Sequence, residues 1–251
     1  MAMLNNPDIL RERVSLGVDG CRGGWLVIAL SEQGGSFGLY PSLRGLLSEL
    51  VAKTPVFIDM PLGLIEDSSM ERACESLARQ RLGPRRSSVF AVPPRQVLAL
   101  SNYDDANAKS RELTGKGLSQ QAFGLLPRVL ELDRLLEQSA KARGIFRESH
   151  PELCFWALAG KQPMQHPKKT HAGFEERLAT LLRHWSEAET LAGQAMLHLA
   201  GSGVARDDIL DAFANALNAD AGKARWRTLP SKPIKDPRGL PMRITYADFS
   251  A

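Results

Sequence analysis

The sequence predicts one α/β domain whose mixed sheet, three antiparallel strands plus parallel ones, is flanked by helices. Two observations carry that reading. Three short apolar runs are joined by glycine-containing turns, and a run of leucines at helical spacing then leads into a fourth apolar run that ends in an aspartate. Hairpin, hairpin, helix, strand is an order that leaves the third strand on an edge. It lays the fourth beside the first and parallel to it.

Val14 to Val18 reads as a buried strand stopped by Asp19-Gly20, with Gly23 and Gly24 completing a tight turn. Trp25 to Leu30 is a second strand, Gly34-Gly35 a hairpin turn, and Phe37 to Tyr40 a third strand. Pro41-Ser42 opens a helix whose Leu43, Leu46, Leu47, Leu50 and Val51 recur with the helical period. Pro55 interrupts it before the strand Val56 to Ile58, which ends at Asp59. From Ser69 to about Leu136 the pattern is helical, broken by a Pro/Arg-rich loop at Pro84 to Arg95 and a glycine-rich turn at Thr114 to Ser119. Ile145 to Glu148 reads as a fifth strand, Pro151 to Leu158 as a helix, and Gln162 to Thr170 as a polar surface loop holding His166. Helices are expected over Phe174 to Trp185 and Asp208 to Ala221, and a last short strand over Met242 to Tyr246. The expected organisation is a single domain over 14–251 with a helical insertion at about 69–140, preceded by a flexible leader at 1–13.

Hydrophobic residues make up 43% of the chain and charged ones 24%, a globular balance that excludes a disordered or fibrous chain. No apolar run reaches the length of a membrane span, and the leader lacks the apolar core of a secretory signal. Cytoplasmic location is therefore expected, and no membrane partner. Cys21, Cys74 and Cys154 are odd in number and scattered, which suggests neither a disulfide framework nor a zinc site. The net charge of +4 permits nucleic acid as a partner without demanding it.

The chemistry is expected in carboxylates at strand ends. Asp19 and Asp59 end neighbouring parallel strands, so both should emerge at the sheet edge where α/β proteins bind ligands. Glu148 ends the fifth strand, and Asp208 and Asp211 are neighbours on one helix face. Taken singly, each has an ordinary reading as a turn or capping residue. Their joint placement favours a site for a hard divalent cation, Mg²⁺ or Mn²⁺, which takes oxygen ligands.

The element order and these acids resemble the ribonuclease H-like superfamily, Holliday-junction resolvase-like members especially. The closest likeness is to the domain of unknown function 429 family, described as predicted nucleases. It is carried by Gly17-Val-Asp-Gly-Cys-Arg-Gly-Gly-Trp25, Ile58-Asp-Met-Pro-Leu-Gly63, Ser87-Ser-Val-Phe90, Pro93-Pro-Arg95, Gly117-Leu-Ser-Gln120, Arg147-Glu-Ser-His-Pro-Glu152 and Asp207-Asp-Ile-Leu-Asp-Ala212. The resemblance implies a metal-dependent nuclease fold, although Arg147-Glu-Ser-His-Pro-Glu152 has no counterpart in the junction resolvases. The leading reading is a phosphodiesterase acting on nucleic acid, with Asp19, Asp59 and Asp211 as metal ligands and Asp208 and Glu148 as ligand or base. Resolvase-like relatives often dimerise, so a homodimer is compatible with it.

Arg22, Arg79 and Arg95 are the expected substrate contacts, with Arg72 beside them, and His150 either serves as a proton shuttle or is a hydrogen-bonded structural residue. Two other functions remain open on the same fold. One is a nucleotide-binding protein of the actin and sugar-kinase type, with Asp19-Gly20 and Arg22-Gly23-Gly24 cradling phosphate. The other is a non-catalytic scaffold whose acids are structural.

Overall fold

The computed structural model describes residues 4–5, 7–11, 14–51, 53–68 and 72–250. Within them the strands β1 (Val14–Cys21), β2 (Gly24–Ser31), β3 (Gly34–Tyr40), β4 (Val56–Ile58) and β5 (Phe146–Glu148) form one mixed sheet. Its order is β3-β2-β1-β4-β5, antiparallel across β1 to β3 and parallel from β1 through β4 to β5. The expected α/β class and ribonuclease H-like strand arrangement are what the chain adopts. Two boundaries differ. β1 continues through Asp19 because β2 pairs with it as far as Cys21 opposite Gly24, which leaves Arg22-Gly23 as the turn. Likewise Glu32-Gln33 makes the second turn, and Gly34 and Gly35 already belong to β3.

Period-two alternation sends successive side chains to opposite faces of the sheet. Leu16, Val18, Val27 and Ile58 face a layer made by α1 (Leu43–Glu49), α4 (Gln120–Gln138) and α5 (Ala140–Ile145). Ser42 caps α1 by accepting from Gly45 N, and Ser119 caps α4 by accepting from Ala122 N. The segment expected as an insertion thus contributes α4, a covering layer of the sheet. It also contains α2 (Ala73–Leu82) and α3 (Tyr103–Thr114).

Leu26, Ile28, Leu30 and Phe37 face the opposite layer: α6 (Pro151–Leu158), α7 (His171–Leu182), α8 (Ala188–His198) and α9 (Arg206–Asp220). α8 was not foreseen, since its buried side is built mostly of alanines, which carry little hydrophobic signal. β6 (Trp226–Leu229), also unforeseen, pairs antiparallel with β7 (Ile244–Ala247) in a separate ribbon packed on α2 and α6.

The described part of the leader is docked. Leu4, Ile9 and Leu10 are buried in the core, and Asn5 Oδ1 accepts from Ser36 Oγ and Phe37 N. Residues 1–3, 6, 12 and 13 of the expected leader lie outside the described residues, as do 69–71 at the start of the expected insertion.

Candidate functional site

Register decides which acids meet. Val18 pairs with Ile58 across β1 and β4, so Asp19 and Asp59 follow at the same level. Val18 and Ile58 point into the α1/α4 layer, and the next residues therefore turn toward α9. Gly17 lets α9 come that close: a Cβ there would lie 1.9 Å from Ala212 O and 2.3 Å from Ala216 N. Asp211 sits on the inward side of α9, and one turn later Asn215 Nδ2 donates to Val18 O at 3.4 Å. The helix is thereby tied to the strand that carries Asp19.

Asp19, Asp59 and Asp211 lie within each other's fields in a desolvated setting. Burial pushes the Asp19 carboxyl well above the ordinary carboxylate range, and the charges of Asp59, Asp211 and Asp208 push it further. Burial also raises Asp59, with His150 and Lys168 pulling the other way. It raises Asp211 to about 6 despite the nearby Lys168 ammonium. Asp19 Oδ1 accepts from Gly20 N at 2.8 Å. Three acids that resist ionisation at one edge form a site that a cation would stabilise.

One cation is already there, and sequence reading missed it. Lys168, in the loop before α7, places Nζ 2.7 Å from Asp211 Oδ2 and 3.4 Å from Asp207 Oδ2. Burial opposes its charge, but the carboxylates of Asp211, Asp19 and Asp207 hold it protonated above the usual ammonium range. The loop was read as polar surface, and nothing periodic in it distinguishes Lys168 from Lys169.

Because Asp211 is neutralised in the fold more readily than in the unfolded chain, its ionisation costs stability. Below about pH 4 it is protonated in both states and has no effect. As pH rises from about 4 to about 6 the unfolded chain ionises it while the fold still holds the proton, so stability is lost, and above about 6 both states are ionised and the loss is complete. The metal-free protein should therefore unfold more easily at about pH 7.5 than at about pH 5, by on the order of 1–1.5 kcal/mol for this group. Urea titrations in a chelator check the sign. Greater stability at the higher pH would contradict it.

The other expected acids are placed differently. Asp208 Oδ2 accepts from Ala205 N at 2.9 Å, closing the first turn of α9, while its charge still reaches Asp19. Glu148 pairs with Ile58 and so shares its face of the sheet, opposite to that of Asp19 and Asp59. Its Oε2 accepts from Leu62 N at 2.7 Å, and its other oxygen is ion-paired with Arg72. Burial lifts Glu148 to about 7, with Arg72 opposing.

Cys74, Glu75 and Glu148 form a buried thiol–carboxylate cluster, with one ligand atom from each within 4.8 Å of the others, that could hold a metal ion. Asp19, Asp59 and Asp211 do not meet that spacing. Arg72 already compensates the tighter cluster: Nε lies 2.6 Å from Glu75 Oε1, and Nη1 donates to Leu62 O and Gly63 O.

A cavity of about 30 Å³, room for a water molecule or two, lies between the groups, lined by Asp59, Glu75, Glu148 and His150. His150 Nε2 is 3.3 Å from Ser88 O, and its buried Nδ1 has no hydrogen-bond partner. Glu152, in the first turn of α6, is ion-paired at 2.8 Å with Arg177 and at 3.0 Å with Arg85.

Of the expected substrate contacts, Arg22 is exposed on the β1–β2 turn and Arg79 Nε donates to Val89 O at 3.0 Å. Arg95 does not face a phosphate. It is buried, with Nε and Nη2 donating to Asp133, Nη1 to Glu66 at 2.6 Å, and Nη2 also to Asp236. Its partners come from three distant segments, so no local pattern revealed them. Arg95→Ala leaves the buried Asp236 without its ion pair and Asp133 with Arg238 alone, and should cost about 3–5 kcal/mol of stability. Denaturant unfolding checks this; a midpoint equal to the wild type would contradict it.

A family model described as Protein of unknown function (DUF429) matches residues 17–234, and the chain belongs to that family. No curated protein and no solved structure matches the chain. No helix among the described residues is long and apolar enough to cross a membrane.

Proposed function

We propose that the protein is a divalent-metal-dependent phosphodiesterase acting on nucleic acid, with Asp19, Asp59 and Asp211 as the metal ligands. The observation that carries this reading is the convergence of three carboxylates from β1, the end of β4 and α9 on one desolvated edge, with pKa values raised by burial and, for Asp19 and Asp211, by their neighbours' charges. An all-oxygen donor set suits Mg²⁺ or Mn²⁺ better than softer ions. Such ions, when bound, activate water and stabilise the leaving oxygen of a phosphodiester.

The chain's own groups have assigned parts. Lys168 neutralises Asp211 when the ion is absent and presents a positive charge to an incoming phosphate. Asp208 adds negative field to the metal site from the first turn of α9. His150 lies beside Asp59 with a free ring nitrogen suited to moving a proton. Glu148 is assigned to Arg72 and not to the reacting centre. The reading as an actin-like nucleotide binder gains no support from the β1–β2 turn. A Cβ at Gly23 would lie 2.1 Å from Ser202 O, so close packing against that backbone already accounts for the glycine.

The test is a panel of single-stranded, duplex and branched DNA and RNA incubated with the purified chain in Mg²⁺, Mn²⁺ or chelator. Cleavage in either metal that stops in chelator is expected. Intact substrates throughout would remove the hydrolase reading and favour a scaffold. Sedimentation of the same sample would show whether the active species is a dimer.

A further inference from the structure

The end of the sheet opposite the aspartates carries a second cleft. It opens beneath the amino ends of β1, β4 and β5 and has two joined compartments sharing Lys53, Pro55, Lys223 and Trp226. The larger, about 720 Å³, lies within the usual size of a small-molecule site and has Trp185 and Trp226 in its walls. Trp226 is fixed: its ring packs 5.1 Å from that of Phe57 and its Nε1 donates to Asn218 O at 3.1 Å.

The smaller compartment, about 270 Å³, is lined by Lys53, Lys141, Arg147 and Lys223 and by no carboxylate. Arg147 donates to the carbonyls of Phe146, Gly144 and Arg143. Burial and the neighbouring Arg243 both act against its charge. Lys53 is held at φ 86°, a left-handed conformation costly for a residue with a side chain. Glu32 and Asp220, the acids of the cleft, line the aromatic compartment instead.

We infer that this cleft binds a nucleoside phosphate, its phosphate among Lys53, Lys141, Arg147 and Lys223 and its base between Trp185 and Trp226. Lys141 donates to the carbonyls of Leu47 and Leu50, and among the described residues none of the four cations has a carboxylate partner. Cations without counter-charge in a concave, partly desolvated place call for an anion with several oxygens. Adjacent aromatic walls call for a flat ring on that same ligand. The inference does not rest on the carboxylate site and stands whether or not that site cuts phosphodiesters.

The experiment titrates AMP, GMP, CMP and UMP, with adenosine and inorganic phosphate as controls, into the full chain by calorimetry and tryptophan fluorescence. At least one nucleotide should bind with a Kd below about 1 mM and at least about tenfold more tightly than adenosine or phosphate. Lys53→Gln combined with Lys223→Gln should weaken it at least about tenfold, a change at exposed positions that leaves the fold intact. Trp185→Leu should weaken the nucleotide but not inorganic phosphate, and Asp19→Asn should change neither. No nucleotide binding, phosphate binding as tight as the nucleotide, or binding insensitive to the two lysines would each overturn the inference.

Discussion

Asp19→Asn should abolish metal-dependent hydrolysis while making the metal-free protein more stable. The two effects have one cause. Asp19 is 7% exposed and carries the field of three other aspartates, so its negative charge is costly unless a cation offsets it. Asparagine keeps the oxygen that accepts from Gly20 N and removes the charge. Loss of a metal-binding carboxylate should lower the rate by about a thousandfold or more, several kcal/mol of transition-state stabilisation. Relief of repulsion should raise the melting temperature in chelator by a few degrees, about what 1 kcal/mol gives a chain of this length. Initial rates and thermal unfolding on one preparation check both. A stabilised but fully active variant would move the chemistry elsewhere. A destabilised one would make Asp19 a structural acceptor.

Gly17→Ala should be the most damaging single methyl group that could be added to the sheet. The atoms it would strike, Ala212 O and Ala216 N, are main chain of α9 and cannot rotate aside. α9 is buried along its length from Ile209 to Ala219, packed between β1 and the helices α6, α7 and α8, so it has no free direction to move. A cost above about 4 kcal/mol is expected, in the range where many domains fail to fold. Gly124→Ala is the control. Within α4 a Cβ at that position meets nothing within 4 Å, and the change should stabilise by about 0.5–1 kcal/mol. If Gly17→Ala folds as well as the wild type, the close approach of α9 to β1 is wrong, and with it the placement of Asp211 beside Asp19.

Sequence reading reached the sheet order because it rested on strong local signals: two hairpins, one leucine-striped helix and a proline-bounded apolar run. The same order brings Asp19 and Asp59 together, since both follow paired strand residues. Glu148 shows the limit. It also ends a strand, but whether it faces α9 or α4 depends on a one-residue register that no local pattern fixes. Lys168 and Arg95 mark two further limits. A loop has no period from which a buried ammonium could be inferred, and Arg95 is satisfied by Glu66, Asp133 and Asp236, which only the tertiary fold assembles. The pairing of Glu152 with Arg177 on α7 is likewise assembled only by the tertiary fold.

The central claim is that Asp19, Asp59 and Asp211 form one divalent-cation site. Its most direct measurement is a calorimetric titration of Mn²⁺ into the chelator-stripped chain and into Asp19→Asn. Saturable binding to the wild type that is lost in the variant is the expected result. Absence of saturable binding to the wild type, or equal binding to both proteins, would contradict it.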